Sequence, residues 1–217
     1  MNNVINTIPG VLSKVARKFA SKTALFLNNG NTISYNDMLW DVSKTCRTLR
    51  EYGIAKNSSV ALFMDNSPQC IETFLAITKM GAVAILLDYK FSENQIKEIF
   101  AQEKPDAVFV NEKKLNLVLE IENATVFAID DNRALKQVSR QVKNSITEVE
   151  EKDNAVVMFV VTENGLLTKQ VLTQKSFIQL TSNKGKTLKS PSFNSLVEEL
   201  KMLIAPIFNG FTVNTSI

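Results

Sequence analysis

Histidine is absent from this sequence of 217 residues. Imidazole is the side chain that titrates near neutral pH, and it is both a frequent general base and a frequent metal ligand. Its absence excludes the Ser-His-Asp and Cys-His mechanisms of nucleophilic catalysis and every metal site built on histidine. Two broad classes of function are therefore ruled out before any motif is considered.

Cysteine is scarce as well, and long apolar runs are missing. The two cysteines, Cys46 and Cys70, fall on predicted helix faces, and no metal-binding spacing joins them. We interpret them as reduced, buried thiols, with a disulfide or a reactive thiol as the alternative. The first residues lack the charged region and cleavage site of a signal peptide, and no apolar stretch approaches about 18 uncharged residues. We expect a cytoplasmic protein without a transmembrane helix.

Neither sign of charge dominates the sequence. The 25 basic and 22 acidic residues give a formal net charge of +3, which favours neither a nucleic acid nor a membrane as partner. The hydrophobic share of 45% is typical of a globular protein. One local basic cluster, formed by Lys184, Lys186 and Lys189, is interpreted as a solvated loop, with a phosphate-contacting patch as the alternative.

The apolar pattern predicts alternating strands and helices. Helical spacing is found over residues 8–19, 36–52, 68–80, 92–102 and 193–207, and strand-like runs over 23–27, 32–35, 59–64, 82–87, 107–110, 125–129 and 211–215. Two strand–helix–strand units in succession predict parallel pairing with right-handed crossovers. We therefore expect an α/β fold, in which helices flank a layered and mostly parallel sheet. The polar segment 130–153 predicts at most a weak helix through Leu135, Val138 and Val142.

Helix boundaries have their own signals. Ser34 precedes the second helix, Pro68 stands at the start of the third, and Ser92 with Gln95 forms a capping box for the fourth.

Asp65 and Asp88 stand at the ends of predicted strands, at the edge where α/β sheets bind ligands. Turn or capping roles are nevertheless commoner for aspartates at such positions. The core is expected to include Phe74, Phe91, Phe100 and Phe109. Trp40 is expected to pack rather than to serve as a ligand platform.

A strand, a polar turn and a second extended segment follow one another between residues 154 and 176. The run 155–161 is apolar and β-branched, residues 162–165 (TENG) are turn-forming, residues 170–173 read as extended, and Gln174 begins a helix. A buried strand that leads into a polar loop with a glycine is a common place to bind phosphate.

Several short stretches together carry a family resemblance. TISY (32–35) leads into a helix that ends in LREYG (49–53), and SVALFMDNSP (59–68), FLAITKMGA (74–82) and ILLD (85–88) follow in register. This order resembles the N-terminal part of the adenylate-forming enzymes, which include acyl-CoA synthetases, D-alanine–carrier-protein ligases and peptide-synthetase adenylation domains. The resemblance implies an N-terminal α/β subdomain over residues 1–150. Residues 151–217 would pack on it as a strand–loop–strand with a terminal helix and strand.

The resemblance places the family's phosphate loop on residues 162–169. It assigns Thr162, Glu163, Asn164, Gly165, Thr168 and Lys169 as the candidate cofactor-binding residues. The loop departs from the family pattern, because Gly165 is its one glycine, Val160 and Val161 replace hydroxyls, and Thr168 replaces the lysine. Glu163 would repel a triphosphate unless a metal intervened, while Lys169 could turn toward the loop. A hairpin loop kept for packing is therefore favoured over a working ATP site.

The resemblance also implies ATP or AMP and magnesium as cofactors. The family's magnesium-binding glutamate, ribose-binding aspartate and catalytic lysine have no counterpart in this sequence, so no catalytic or metal-binding residue is assigned. We expect a truncated, inactive relative that acts as a binding or scaffold module. The alternatives are one half of a split ligase that a second chain completes, and a small-molecule binding domain with a regulatory role. We also expect a homodimer or a partner protein, because the apolar face of the helix over 196–208 and the final strand would lack cover.

Overall fold

The structure is a computed structural model and describes residues 6–65, 67–118, 124–129, 135–137, 148–162, 164–182 and 195–215. Its helices are α1 (Ile8–Lys18), α2 (Tyr35–Glu51), α3 (Pro68–Lys79), α4 (Glu93–Glu103), α5 (Gln174–Ser182) and α6 (Ser195–Phe208). A 3₁₀ helix covers Glu112–Leu117. Its strands are β1 (Thr23–Phe26), β2 (Thr32–Ser34), β3 (Ser59–Phe63), β4 (Val83–Leu86), β5 (Ala107–Asn111), β6 (Thr125–Ile129), β7 (Leu135–Gln137), β8 (Asn154–Val161), β9 (Leu167–Thr173) and β10 (Val213–Asn214).

The larger sheet of the described residues has seven strands in the order β7-β6-β5-β3-β4-β8-β9. Its five central strands run parallel, while β7 and β9 pair antiparallel at the two edges. The helices α3 and α4 connect β3 to β4 and β4 to β5. This arrangement confirms the predicted α/β fold with a mostly parallel sheet and flanking helices.

Both faces of the larger sheet are buried. Along β3, Val60 and Leu62 belong to a core shared with α1, α2, α3 and α6, whereas Ala61 and Phe63 belong to a second core beneath α4. Successive side chains of a strand point to opposite faces, so one strand contributes to both cores. This explains why the parallel strands are apolar throughout instead of alternating. All four phenylalanines expected in the core are buried.

The smaller sheet joins segments from distant parts of the sequence. In the described residues its order is β10-β1-β2, with Leu25 opposite Val213 and Phe26 opposite Asn214 in parallel register. The Tyr35 hydroxyl links the start of α2 to the segment before β10, because it donates to the carbonyl oxygens of Ile207 and Phe211 at 3.0 and 2.9 Å. Burial raises the pKa of Tyr35 to about 12, so this hydroxyl stays a donor at neutral pH.

The helix caps follow the sequence signals. The side chains of Ser34, Ser67 and Ser92 accept hydrogen bonds from backbone N–H groups in the first turns of α2, α3 and α4. Ser92 and Gln95 form the complete capping box that the spacing predicted. Each cap satisfies a donor that has no partner within its own helix.

Four expectations differ from the structure. The second arm of the hairpin begins at Leu167 rather than at residue 170, since Val161 pairs with Leu167 directly across the loop. A short strand, β7, replaces the weak helix at Leu135 because it pairs with β6, and Val138 and Val142 lie outside the described residues. The Ser, Asn, Lys and Gly residues of 181–191 predict a loop that begins at Thr181, but Thr181 belongs to α5. Trp40 is 72% exposed instead of packed.

The proposed division at residue 150 stays a prediction. Strands from both sides of it share the larger sheet, because β8 pairs with β4. The helix α1 also contacts α5 and α6.

The described end of α6 is covered by the rest of the chain. Leu203, Ile204, Ile207 and Phe208 are buried, and α6 packs against α1, α3 and α5. The expectation of an uncovered face therefore fails for these residues. Within the described residues, no helix has the length and apolar character that crossing a membrane requires.

Candidate functional site

Four neighbouring strands end at one edge of the larger sheet. Because β5, β3, β4 and β8 lie side by side and run parallel, their carboxyl ends meet there. The residues at or just after these ends are Asn111, Asp65, Asp88 and Thr162. Open α/β sheets bind ligands outside the carboxyl ends of their strands, so this edge is the candidate site.

The loop between β8 and β9, residues 162–166, is closed by hydrogen bonds within itself. Thr162 donates its N–H to the Leu166 carbonyl oxygen at 2.9 Å, and Gly165 donates to the Thr162 carbonyl oxygen at 2.8 Å. Leu166 donates to Thr162 Oγ1 at 3.1 Å. Gly165 has a φ of +79°, which glycine adopts without strain. Three backbone donors of the loop are thus engaged by the loop's own oxygens.

The candidate residues do not converge on one point. Asn164, Gly165 and Thr168 are exposed, and Glu163 lies outside the described residues. Thr168 pairs with Val160 and Lys169 with Phe159 across the ladder. Adjacent residues of a strand point to opposite faces, so Thr168 and Lys169 cannot act on the same side of the hairpin.

Lys169 is engaged with the last residue of α4. Its Nζ donates to Glu103 Oε2 at 2.8 Å and also lies 2.8 Å from Oε1. The Glu103 side chain is 9% exposed and that of Lys169 is 37% exposed. Oε1 is buried, and the Lys169 ammonium is its charge partner. The lysine nearest to the loop in sequence therefore contacts a carboxylate on α4.

A second lysine lies at the carboxyl edge, and the sequence analysis did not single it out. Lys114 Nζ is 3.9 Å from Asp65 Oδ1 and lies 4.4 and 5.1 Å from the ring centres of Phe63 and Tyr89. Burial lowers the pKa of Lys114, while the charges of Asp65 and Asp88 partly oppose that shift. Lys114 belongs to a charged segment that resembles any solvated turn, so the sequence carried no signal for it.

The two strand-end aspartates differ in environment. Asp88 is buried, and its Oδ1 accepts the N–H of Lys90 at 2.8 Å, which is the turn role expected for it. The Asp65 side chain is 61% exposed. The backbone N–H of Asp65 donates to Asn111 Oδ1 at 2.7 Å. Beside it is a cavity of about 170 Å³. The described residues contain no group of three acidic or cysteine side chains placed to hold a metal ion.

The two cysteines are free and buried, as expected. Burial raises the pKa of Cys70 to about 12 and also raises the pKa of Cys46. Both side chains are therefore thiols rather than reactive thiolates at neutral pH.

Curated relatives match from about half to most of this chain. A hybrid PKS-NRPS synthetase of Penicillium citrinum is 25% identical over 174 residues, which is 79% of this chain and 4% of that protein. Acetyl-coenzyme A synthetase 1 of Debaryomyces hansenii is 31% identical over 103 residues, covering 45% of this chain and 15% of that protein. The chain thus spans a small part of the length of these relatives.

Solved structures share the fold over almost the whole chain. The inhibitor-bound N-terminal domain of FACL13 from Mycobacterium tuberculosis has a TM-score of 0.78 at 18% identity, covering 96% of this chain and 56% of that one. The NpsA N-terminal subdomain of Klebsiella oxytoca, in complex with 3-hydroxybenzoyl-AMSN, has a TM-score of 0.74 at 15% identity, covering 96% and 53%. The chain spans about half the length of these structures. The family model described as AMP-binding enzyme matches residues 12–177, and the chain belongs to this family.

Proposed function

We propose that this chain is a binding or scaffold module of the AMP-binding family that forms no acyl adenylate on its own. The observation that carries the proposal is the closed loop between β8 and β9. A phosphate cradle works because several backbone N–H groups point outward at an anion. Here the N–H groups of Thr162, Gly165 and Leu166 point at oxygens of the loop itself.

The charges around the loop support the same proposal. Thr168 occupies the position of the family's lysine, and the ammonium of Lys169 is held by Glu103. Val160 and Val161 replace hydroxyl groups that would add donors. The described residues therefore fit a triphosphate with magnesium poorly. A cytoplasmic location is part of the proposal.

The direct test is ATP–pyrophosphate exchange with a panel of carboxylic acids. We expect no exchange above background from the purified chain, because adenylation needs charge stabilisation at the transferring phosphate. A fatty acyl-CoA synthetase of Mycobacterium tuberculosis, the family member in one matching structure, serves as the positive control. Exchange by the chain alone at a rate comparable to the control would refute the proposal.

The second candidate function is the N-terminal half of a split ligase that activates a carboxylic acid with ATP. It is favoured by the coverage, since 98% of this chain matches 45% of the Mycobacterium tuberculosis fatty acyl-CoA synthetase structure. A second chain would then supply the missing half. Exchange that appears only when the chain is mixed with a separately produced partner would support this candidate and replace the first one.

A further inference from the structure

We propose that a second copy of this chain docks on the outer surface of α1 and α2, where a basic face of one copy meets an acidic face of the other. Each face is a set of three side chains spaced i, i+3 and i+4 on one helix. The basic face of α1 consists of Lys14, Arg17 and Lys18, and the acidic face of α2 consists of Asp37, Trp40 and Asp41. The proposal concerns assembly and is independent of adenylation.

The basic face has no acidic partner on its own chain. Lys14, Arg17 and Lys18 are exposed, and the first 36 residues of the sequence contain four basic side chains and no acidic one. Among the described residues, none of these three forms an ion pair with a carboxylate. Like charges four residues apart on a helix repel each other, so Lys14 and Lys18 destabilise α1 in an isolated copy.

The acidic face borders a groove of about 460 Å³, lined by Asn36, Asp37, Leu39, Trp40 and Ser43. The Trp40 indole is 72% exposed. Asp37 and Asp41 have the same spacing as the two lysines of α1, with the opposite charge. Acidic residues near the start of a helix suit its dipole, but the dipole does not account for an exposed indole beside them. An arginine or lysine over this indole would be held by cation–π attraction and by the carboxylates.

The two faces adjoin on one side of the molecule. The N–H groups of Tyr35 and Asn36, at the start of α2, donate to the carbonyl oxygens of Lys22 and Ala20, just after α1, at 3.0 Å each. Both helices pack against α3, which itself packs on β3 and β4 and is buried over residues 70–78. The helices α1 and α2 therefore form an outer layer on the same side of the larger sheet.

A second copy is the partner whose charge matches both faces. A purely acidic or purely basic partner would be attracted by one face and repelled by the other. Two copies related by a two-fold axis between the faces place each basic face against the other copy's acidic face, so the contact is made twice. Tryptophan and arginine are enriched among the residues that contribute most to binding in protein interfaces. Trp40 and Arg17 are the side chains of these types on the two faces.

The experiment measures self-association by sedimentation velocity in the wild type, in R17E/K18E and in D37K/D41K. The first variant reverses the net charge of the basic face, and the second reverses that of the acidic face. We expect a dimer in the wild type and a dissociation constant raised at least about tenfold in each variant alone, because like charges then face each other. When the two variants are mixed in equal amounts, opposite charges face each other again, and a heterodimer should form.

A control variant separates this effect from a general change of charge. E93K/E98K changes the net charge by the same amount as D37K/D41K, at exposed positions of α4, a helix that packs on the second core. It should leave the dissociation constant unchanged. A monomeric wild type, variants that associate as tightly as the wild type, or a mixture without heterodimer would overturn the proposal. If D37K/D41K does not fold, W40A replaces it, and unchanged association in W40A overturns the proposal as well.

Discussion

Gln174 joins three elements that are far apart in the sequence. Its side chain is fully buried, Oε1 accepts the N–H of Ile8 at 3.0 Å, and Nε2 donates to the Thr78 carbonyl oxygen at 3.1 Å. The side-chain amide at the start of α5 thus provides a hydrogen-bond partner for a backbone N–H in the first turn of α1 and for a backbone carbonyl in the last turn of α3. Both backbone groups would be left without these partners if the amide were removed.

We predict that Q174L lowers the free energy of unfolding by about 2–4 kcal/mol, because it leaves a buried donor and a buried acceptor unsatisfied. Urea denaturation followed by circular dichroism measures the change. Q179L, an exposed position of the same helix, is the matched control and should change stability by less than about 0.5 kcal/mol. Equal stability of the two variants would show that the buried amide contributes nothing specific.

Asp153 is the residue whose protonation should matter for stability. Burial alone would raise its pKa, but a hydrogen bond from Lys56, one from the Glu150 N–H and the charge of Lys56 together lower it below its ordinary value of 3.8. A lowered pKa in the folded state means that the stabilisation is present above about pH 4 and is lost as the pH falls further.

We therefore predict that D153N lowers the free energy of unfolding at pH 7 by about 1–3 kcal/mol, since Lys56 loses its partner at 2.6 Å. The loss should be smaller at pH 3, below the ordinary pKa of 3.8, because the wild type has lost part of the same stabilisation there. Denaturation curves at both pH values give the comparison, with D41N on α2 as a control. A loss that is the same at both pH values would contradict the assigned role.

At the scale of the element, α4 depends on its capping box. The Ser92 hydroxyl accepts the Gln95 N–H at 3.3 Å, and Gln95 Oε1 accepts the Ser92 N–H at 2.9 Å. We predict that S92A costs about 1 kcal/mol of stability, as the loss of an N-cap does elsewhere. Thermal unfolding by calorimetry measures this, and S13A within α1 is the control, with no loss expected. An unchanged melting temperature in S92A would argue against the cap.

Local signals explain which elements the sequence predicted well. The helices α2, α3 and α4 each begin after a serine, and the strands β3 to β6 are apolar runs. Both signals lie within a few consecutive residues, so the sequence alone reveals them. The start of β9 at Leu167 was missed because it depends on pairing with Val161. The strand β7 was missed for the same reason, since it exists through its ladder with β6.

The contacts of the candidate residues could not be predicted from the sequence. Their assignment to the β8–β9 turn comes from the resemblance and stays a prediction. The hydrogen bonds that close the loop on Thr162 cannot be inferred from the letters TENGL. The ion pair of Lys169 with Glu103 joins residues 66 positions apart, and the environment of Lys114 is built from three strand ends. Such contacts are set by the tertiary fold.

At the scale of the whole molecule, association remains a proposal. Three large apolar side chains, Trp40, Met202 and Phe211, are 72%, 64% and 58% exposed. Exposed aromatic and methionine side chains are enriched in protein interfaces. We predict a homodimer or larger assembly in sedimentation velocity, and a shift toward monomer in W40K. A monodisperse monomer across a range of concentrations would count against the proposal.

The pairing of β1 with β10 also affects the order in which the strands pair during folding. Leu25 and Val213 are far apart along the chain, and contacts of such long separation form slowly because a large loop must close first. The strands β3 to β6 pair with near neighbours, so they can assemble while the chain is still emerging from the ribosome. Until Val213 emerges, the edge of β1 that it covers stays open to other chains. The interval before that closure is when aggregation should compete most strongly with folding.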